Sequence, residues 1–204
     1  MRKTLNQLLC LMPVMLLIGC AAPLTKTDLN TIKSIAIVNE FPNQPNYAII
    51  GTTIFNNEYD GLKSDAFLKK VSSVTIEYLS KKGYDVKEID GKNKSNYKNY
   101  DFVLTLIPRD IYQMPGTYGY GVNQRSFLGI KGKPIIYVAL NMRPELHGRV
   151  TGSAYYNQST TELTFDTLPE KWSGLSESQK KEITEKLNEN IEKAITELLG
   201  EVGI

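Results

Sequence analysis

The stretch KSIAIVNEF, residues 33–41, most constrains the fold. Ile35 and Ile37 fall on one side of an extended chain, and Ala36 and Val38 fall on the other. A short run apolar on both faces fits a strand inside a sheet rather than at its margin. Downstream, SDAFLKKVSSVTIEYLSKKG (64–83) places Phe67, Val71, Val74 and Tyr78 at helical spacing. Ser64 is positioned to cap its start, and Gly83 to stop it. YDVKEID (84–90) follows at once as a strand. The order strand, helix, strand predicts a crossover that packs the helix on a sheet.

The rest of the chain extends this pattern. YAIIGTTIF (47–55) is β-branched and reads as a second strand or an extended arm. GKNKSNYKN (91–99) is a polar loop, and YDFVLTLIPRDIY (100–112) is a strong strand. KPIIYVALNMRPEL (133–146) and RVTGSAYYNQS (149–159) form an antiparallel hairpin turning near His147 and Gly148. TELTFDTL (161–168) adds a short piece. SESQKKEITEKLNENIEKAITELLG (176–200) is a helix with capping-box spacing at Ser176 and Gln179. Its single apolar stripe is Ile183, Leu187, Ile191, Ile195 and Leu198. The expected fold is α+β: one domain, a mixed sheet of about five or six strands, and two helices packed on one face.

The N-terminus is a processing signal. Arg2 and Lys3 precede an apolar run, Leu8 to Ile18, that is too short to span a bilayer comfortably. Leu17-Ile18-Gly19-Cys20 resembles the bacterial lipobox. That resemblance implies cleavage before Cys20 and lipidation of its thiol. Residues 1–19 are then a removed signal peptide, 20–31 the lipidated cysteine and a polar tether, and 32–204 the periplasmic domain. Multiple acyl chains hold stably where a single chain binds reversibly. Ala21 after the cysteine implies, by the usual sorting pattern, the periplasmic face of an outer membrane.

This reading removes several classes of function. The chain has two cysteines, Cys10 and Cys20, both in the N-terminal segment. The mature domain therefore has no thiol for catalysis, a disulfide or a thiolate metal site. Without Arg2 and Lys3 the 24 basic residues become 22, against 22 acidic ones. A balanced surface argues against nucleic acid as a partner.

GTYGYGVNQRSFLG (116–129) reads as part of a long connection, 113–133, between two strands. It lacks the third glycine of a dinucleotide fingerprint and precedes a strand rather than a helix, so no nucleotide cofactor is expected. Two readings remain: a flexible surface connection or long twisted hairpin tip, or a contact loop. In the second, Tyr118, Tyr120, Asn123, Arg125 and Phe127 form the candidate partner-binding set. His147, the single histidine, reads as a solvated turn residue, since Glu145 alone does not make a metal site. Asp85, Glu88 and Asp90 read as surface charge. Trp172 reads as a plug between a loop and the last helix.

The element order and the IAIVNEF strand resemble the compact α/β domain of the Tol–Pal propeller protein's N-terminus and of the curli secretion channel lipoprotein. IIGTTIFNNE (49–58) is similar to segments of uncharacterised envelope lipoproteins. No catalytic residue carries over from these groups. The expected function is a non-enzymatic, membrane-anchored lipoprotein that binds an envelope protein as an accessory or assembly factor. A self-assembling ring or secretion-channel subunit is the first rival. A periplasmic hydrolase or carbohydrate-active enzyme using His147, Ser153 or the carboxylates, or a ligand-binding protein, is the second.

Overall fold

The computed structural model describes residues 24–51, 57–59, 65–151 and 154–204. Cys20, Ser64 and Ser153 lie outside the described residues. In chain order the elements are α1 (Lys26–Thr31), β1 (Ser34–Asn39), β2 (Asn46–Ile50), β3 (Asn57–Tyr59), α2 (Ala66–Lys81), β4 (Asp85–Glu88), β5 (Phe102–Pro108), β6 (Tyr120–Phe127), β7 (Ile130–Lys131), β8 (Ile135–Leu146), β9 (Arg149–Val150), β10 (Tyr155–Glu162) and α3 (Glu177–Val202). The fold is a single α+β domain, and its mixed sheet is larger than the five or six strands expected.

β8 is the spine of the sheet. Along one edge it pairs antiparallel with β10 and β9. Along the other edge it pairs antiparallel with β5 through residues 140–146 and with β6 through residues 135–138. β5 and β6 therefore lie end to end, as one long strand interrupted at 109–119. β1 and β2 repeat the arrangement one position further out. β1 runs parallel to β5, and β2 runs parallel to β6. β4 completes the crossover, parallel to β1. β1 is interior, and Ile35 to Val38 are at most 2% exposed.

Both helices cover one face of this sheet. α3 packs over β8 and β10, and α2 packs beside it over β1 and β4. The main core joins Ile35, Ile37, Phe102, Leu104, Val138 and Leu140 of the sheet to Val71 and Leu79 of α2 and to the α3 stripe. Ile183, Leu187, Ile191, Ile195 and Leu198 are all buried, as the spacing predicts. The α3 capping box forms as read, with Gln179 N donating to Ser176 Oγ and Ser176 N donating to Gln179 Oε1. The helix runs two residues beyond Gly200 and ends at Gly203, in the left-handed conformation (φ 85°). Trp172 packs on this core, its ring 6.3 Å from that of Tyr47 in edge geometry.

Outside 113–133, two segments differ from expectation. Part of the expected tether, 25–31, is ordered structure. Thr25 and Asp28 make a capping box around α1, and Leu24 and Leu29 pack against the main core. The polar loop 91–99 also carries structure, a 3₁₀ turn over Lys94–Asn99 that buries Tyr97.

Among the described residues, no α-helix covers the other face of the sheet. Tyr97 covers one end, packing on Ala36, Val38 and Val103. The excursion 109–119 covers the other, with Ile111 and Met114 against Tyr137 and Ala139. Its ends meet, since Gly119 N donates to Arg109 O at 2.9 Å, so it is a compact Ω-like loop. Thr117 Oγ1 fixes its interior by accepting from Ile111 N at 3.0 Å.

Candidate functional site

The structure divides the glycine–tyrosine stretch into a buried strand and an exposed tip. Residues 120–124 are not a surface connection. They are the first half of β6, between β2 and β8. Tyr120 is fully buried, its hydroxyl donating to Pro42 O at 2.8 Å and its ring set edge-on against Phe41. Burial pushes its phenol pKa far above the ordinary value. Asn123 is 1% exposed, and its amide donates to Pro115 O at 3.4 Å. Tyr120 and Asn123 are thus withdrawn from the candidate contact set: a side chain enclosed by the sheet and its loops presents nothing to a partner.

Gln124, which was not singled out from the sequence, is also buried. It faces the helices and donates to Asp166 O and Gly132 O while accepting from Leu168 N. It anchors the segment leading to α3.

Tyr118, Arg125 and Phe127 remain at the surface. Arg125 is exposed and donates to Gln113 O at 3.1 Å, which fastens the Ω-like loop to β6. Beyond Arg125, β6 turns into β7 through Leu128 and Gly129, whose φ values are 49° and 80°. Two successive positive φ angles make the tight turn that suits strand twist. The turn presents Phe127, Leu128 and Ile130 to solvent at 72%, 77% and 75% exposure. Lys131 beside them is exposed as well. Three bulky apolar side chains on one hairpin tip form a contiguous apolar patch with basic neighbours, the composition of a contact surface. The run Phe127-Leu128-Gly129-Ile130 was the available signal. The hairpin-tip reading of this stretch is the one that holds, and Leu128 and Ile130 join the tip through the β6–β7 pairing.

The tip and the N-terminal end of the domain lie at opposite ends of the sheet. Ile35 pairs with Phe102 and Phe102 with Leu146 at one end of β8, while Asn123 pairs with Ile135 at the other. β8 is 12 residues long, roughly 40 Å at the rise of a strand.

Among the described residues, the face away from α2 and α3 carries two larger hollows. One, of about 840 Å³, lies between the Ω-like loop and β8–β10, with Arg109, Tyr112, Met114, Asn141 and Tyr156 in its wall. The second, of about 730 Å³, lies between the 3₁₀ turn and the β8–β9 hairpin, with Lys94, Tyr97, Arg143, Glu145 and His147 in its wall. His147 sits at the hairpin turn as read, exposed and with φ 48°. Asp85, Glu88 and Asp90 are exposed on or just after β4. Among the described residues, no three His, Cys, Asp or Glu side chains gather closely enough to hold a metal ion. Among them, too, no helix is long and apolar enough to cross a membrane.

No protein-family model matches the chain, and no curated protein matches it. Solved structures with a similar course include a minor lipoprotein from Acinetobacter baumannii, at 8% identity and a TM-score of 0.45, covering 84% of this chain and 91% of that one. The PelC dodecamer from Paraburkholderia phytofirmans is similar at 14% identity and a TM-score of 0.36, covering 89% and 93%. Lipoprotein GNA1162 from Neisseria meningitidis follows at 12% identity and 0.29, covering 77% and 96%. Likenesses of this strength carry no argument about function.

Proposed function

We propose that the protein is a lipid-anchored lipoprotein of the bacterial envelope that binds a protein partner through the β6–β7 tip, as an accessory or assembly factor and without catalysis. The lipobox Leu17-Ile18-Gly19-Cys20 supports the anchor. The observation that carries the partner reading is the cluster Phe127, Leu128 and Ile130, each more than two-thirds exposed. Leaving such side chains in water is unfavourable, and covering them supplies binding energy. The tip lies at the end of the sheet away from the start of β1, so it points away from the membrane if the lipidated segment that precedes β1 in sequence holds that end of the sheet against it. Anchoring also raises the local concentration of both partners, so a modest affinity suffices. The placement at the periplasmic face of an outer membrane rests on Ala21.

The test is affinity capture of the lipidated chain with and without the substitutions Phe127→Ser, Leu128→Ser and Ile130→Ser. The proposal expects one envelope protein to be lost from the triple variant. An unchanged set of captured proteins counts against the tip.

A ring-forming subunit is the second reading, and β10 favours it. It is eight residues long and, among the described residues, pairs with β8 alone, leaving a strand edge open to another copy. Sizing in detergent separates the two: a monomer supports the accessory role, and a discrete closed oligomer supports the ring.

A further inference from the structure

The second hollow, between the 3₁₀ turn and the β8–β9 hairpin, has an imbalance in its wall. Lys94, Lys98 and Arg143 face it with Glu145 as the one carboxylate, and Tyr97, Tyr100 and His147 are among the other residues that line it. Arg143 and Glu145 are two residues apart on β8, so their side chains share a face. Their contact is weak, with Nε 3.5 Å from Glu145 Oε1. That nitrogen is buried and has no hydrogen-bond partner.

Thr105 is directly opposite Arg143 on β5 and therefore on the same face. It is fully buried, and its hydroxyl also lacks a partner. Buried polar groups are almost always satisfied, so an unpartnered one is an exception that calls for a reason. Arg143 lines the hollow and Thr105 does not, so the unpartnered guanidinium nitrogen, in a wall with excess positive charge, is what suits a ligand that accepts hydrogen bonds and carries negative charge.

We propose that this hollow binds the oxyanion of a small ligand, a phosphate or a carboxylate, seated on Arg143 with Lys94 and Lys98 around it. A guanidinium donates a planar pair of hydrogen bonds that fits either group. The tyrosines offer apolar ring edges to the body of the ligand. The volume falls within the range of small-molecule sites. The site is at the opposite end of β8 from the tip, so it stands independently of the partner reading.

His147 is the single histidine, and it lines the hollow, so its ring resonances report binding in the full chain held in detergent micelles. Inorganic phosphate, glucuronate and neutral glucose are titrated separately at fixed pH and ionic strength. The proposal expects a saturable His147 shift with phosphate or glucuronate and none with glucose. Whichever anion saturates at lower concentration identifies the chemistry. Arg143→Gln should weaken that binding about ten-fold or more, and Arg143→Lys less. Lys94→Gln combined with Lys98→Gln, both on the surface turn, should weaken it several-fold. This second variant keeps the test valid if Arg143→Gln does not fold. No saturable shift with either anion overturns the proposal. So does an equal response to glucose, or undiminished binding in both variants.

Discussion

The two faces of the sheet are closed by different means. On one, α2 packs over β1 and β4 and α3 over β8 and β10, and among the described residues no Asp, Glu, Lys or Arg is buried in the resulting core. On the other, a 3₁₀ turn and an Ω-like loop each insert one or two side chains, Tyr97 at one end and Ile111 with Met114 at the other. Between and beside these plugs lie the two hollows. The first face supplies stability by area, whereas the second supplies shaped, partly polar surface. Function is therefore sought on the helix-free side and at its tip.

The largest effect expected from a single substitution falls where the two interrupted strands approach each other. A Cβ on Gly121 would lie 2.1 Å from Asn46 O, and its φ is 151°. Gly121→Ala should cost about 4 kcal/mol or more, because both backbones are fixed by the sheet and neither can yield. Urea unfolding measures it, and a cost below about 1 kcal/mol would mean that β2 and β6 are not held together as described.

The face comparison is sharpened next. Ile191→Ala, under the α3 stripe, should cost about 3 kcal/mol and unfold the molecule cooperatively. Tyr97→Ala, on the other face, should cost about 2 kcal/mol, since its cluster is small, and hydrogen exchange should show faster local opening of 94–100. Equal costs with global opening in both would break the distinction.

Acid offers a smaller perturbation. Asp101 ties the start of β5 to the start of β1. Its Oδ2 accepts from Ser34 N, Lys33 N and Ser34 Oγ, each at 3.0 Å. The backbone bonds from Ser34 and Lys33 hold its pKa below the usual 3.8. A depressed folded pKa contributes stability above the unfolded value, and that contribution is lost as pH falls through the folded one. Urea midpoints should therefore fall as pH drops below about 3.8. Asp101→Asn should be less stable at neutral pH and less sensitive over that acid range.

The smallest effect on stability belongs to the tip. Phe127→Ser with Leu128→Ser and Ile130→Ser should change it by less than about 0.5 kcal/mol while removing the partner.

Periodicity made much of the helix-covered side legible. The α3 stripe, the α2 stripe and the two-faced strand read at 33–41 are local patterns, and they found the burial they implied except at Tyr78, which is half-buried. β6 was not legible because its glycines read as freedom. Gly119 closes the neck of the Ω-like loop and would meet Pro108 and Pro42 with a Cβ, and Gly121 faces the backbone of β2. Both serve close approach between distant segments, which no window of sequence contains. Tyr97 was hidden for the opposite reason, as one aromatic in a run of lysines and asparagines. The polar seam of Asn190 with Ser159 and Thr161, between α3 and β10, likewise joins residues that become neighbours through folding. Within the candidate site, the sequence indicated Tyr118, Arg125 and Phe127 as surface residues but also included Tyr120 and Asn123, whose burial depends on strand pairing. Lys94, Arg143 and His147 come from two separate segments and meet only in three dimensions.

The account turns on the β6–β7 tip being where a protein partner sits. The direct measurement is in-cell photocrosslinking from position 127, compared with position 193 on the solvent side of α3, in the lipidated chain. The account predicts one discrete protein adduct from 127 and none from 193. Equal capture at both positions, or adducts from 193 alone, would contradict it.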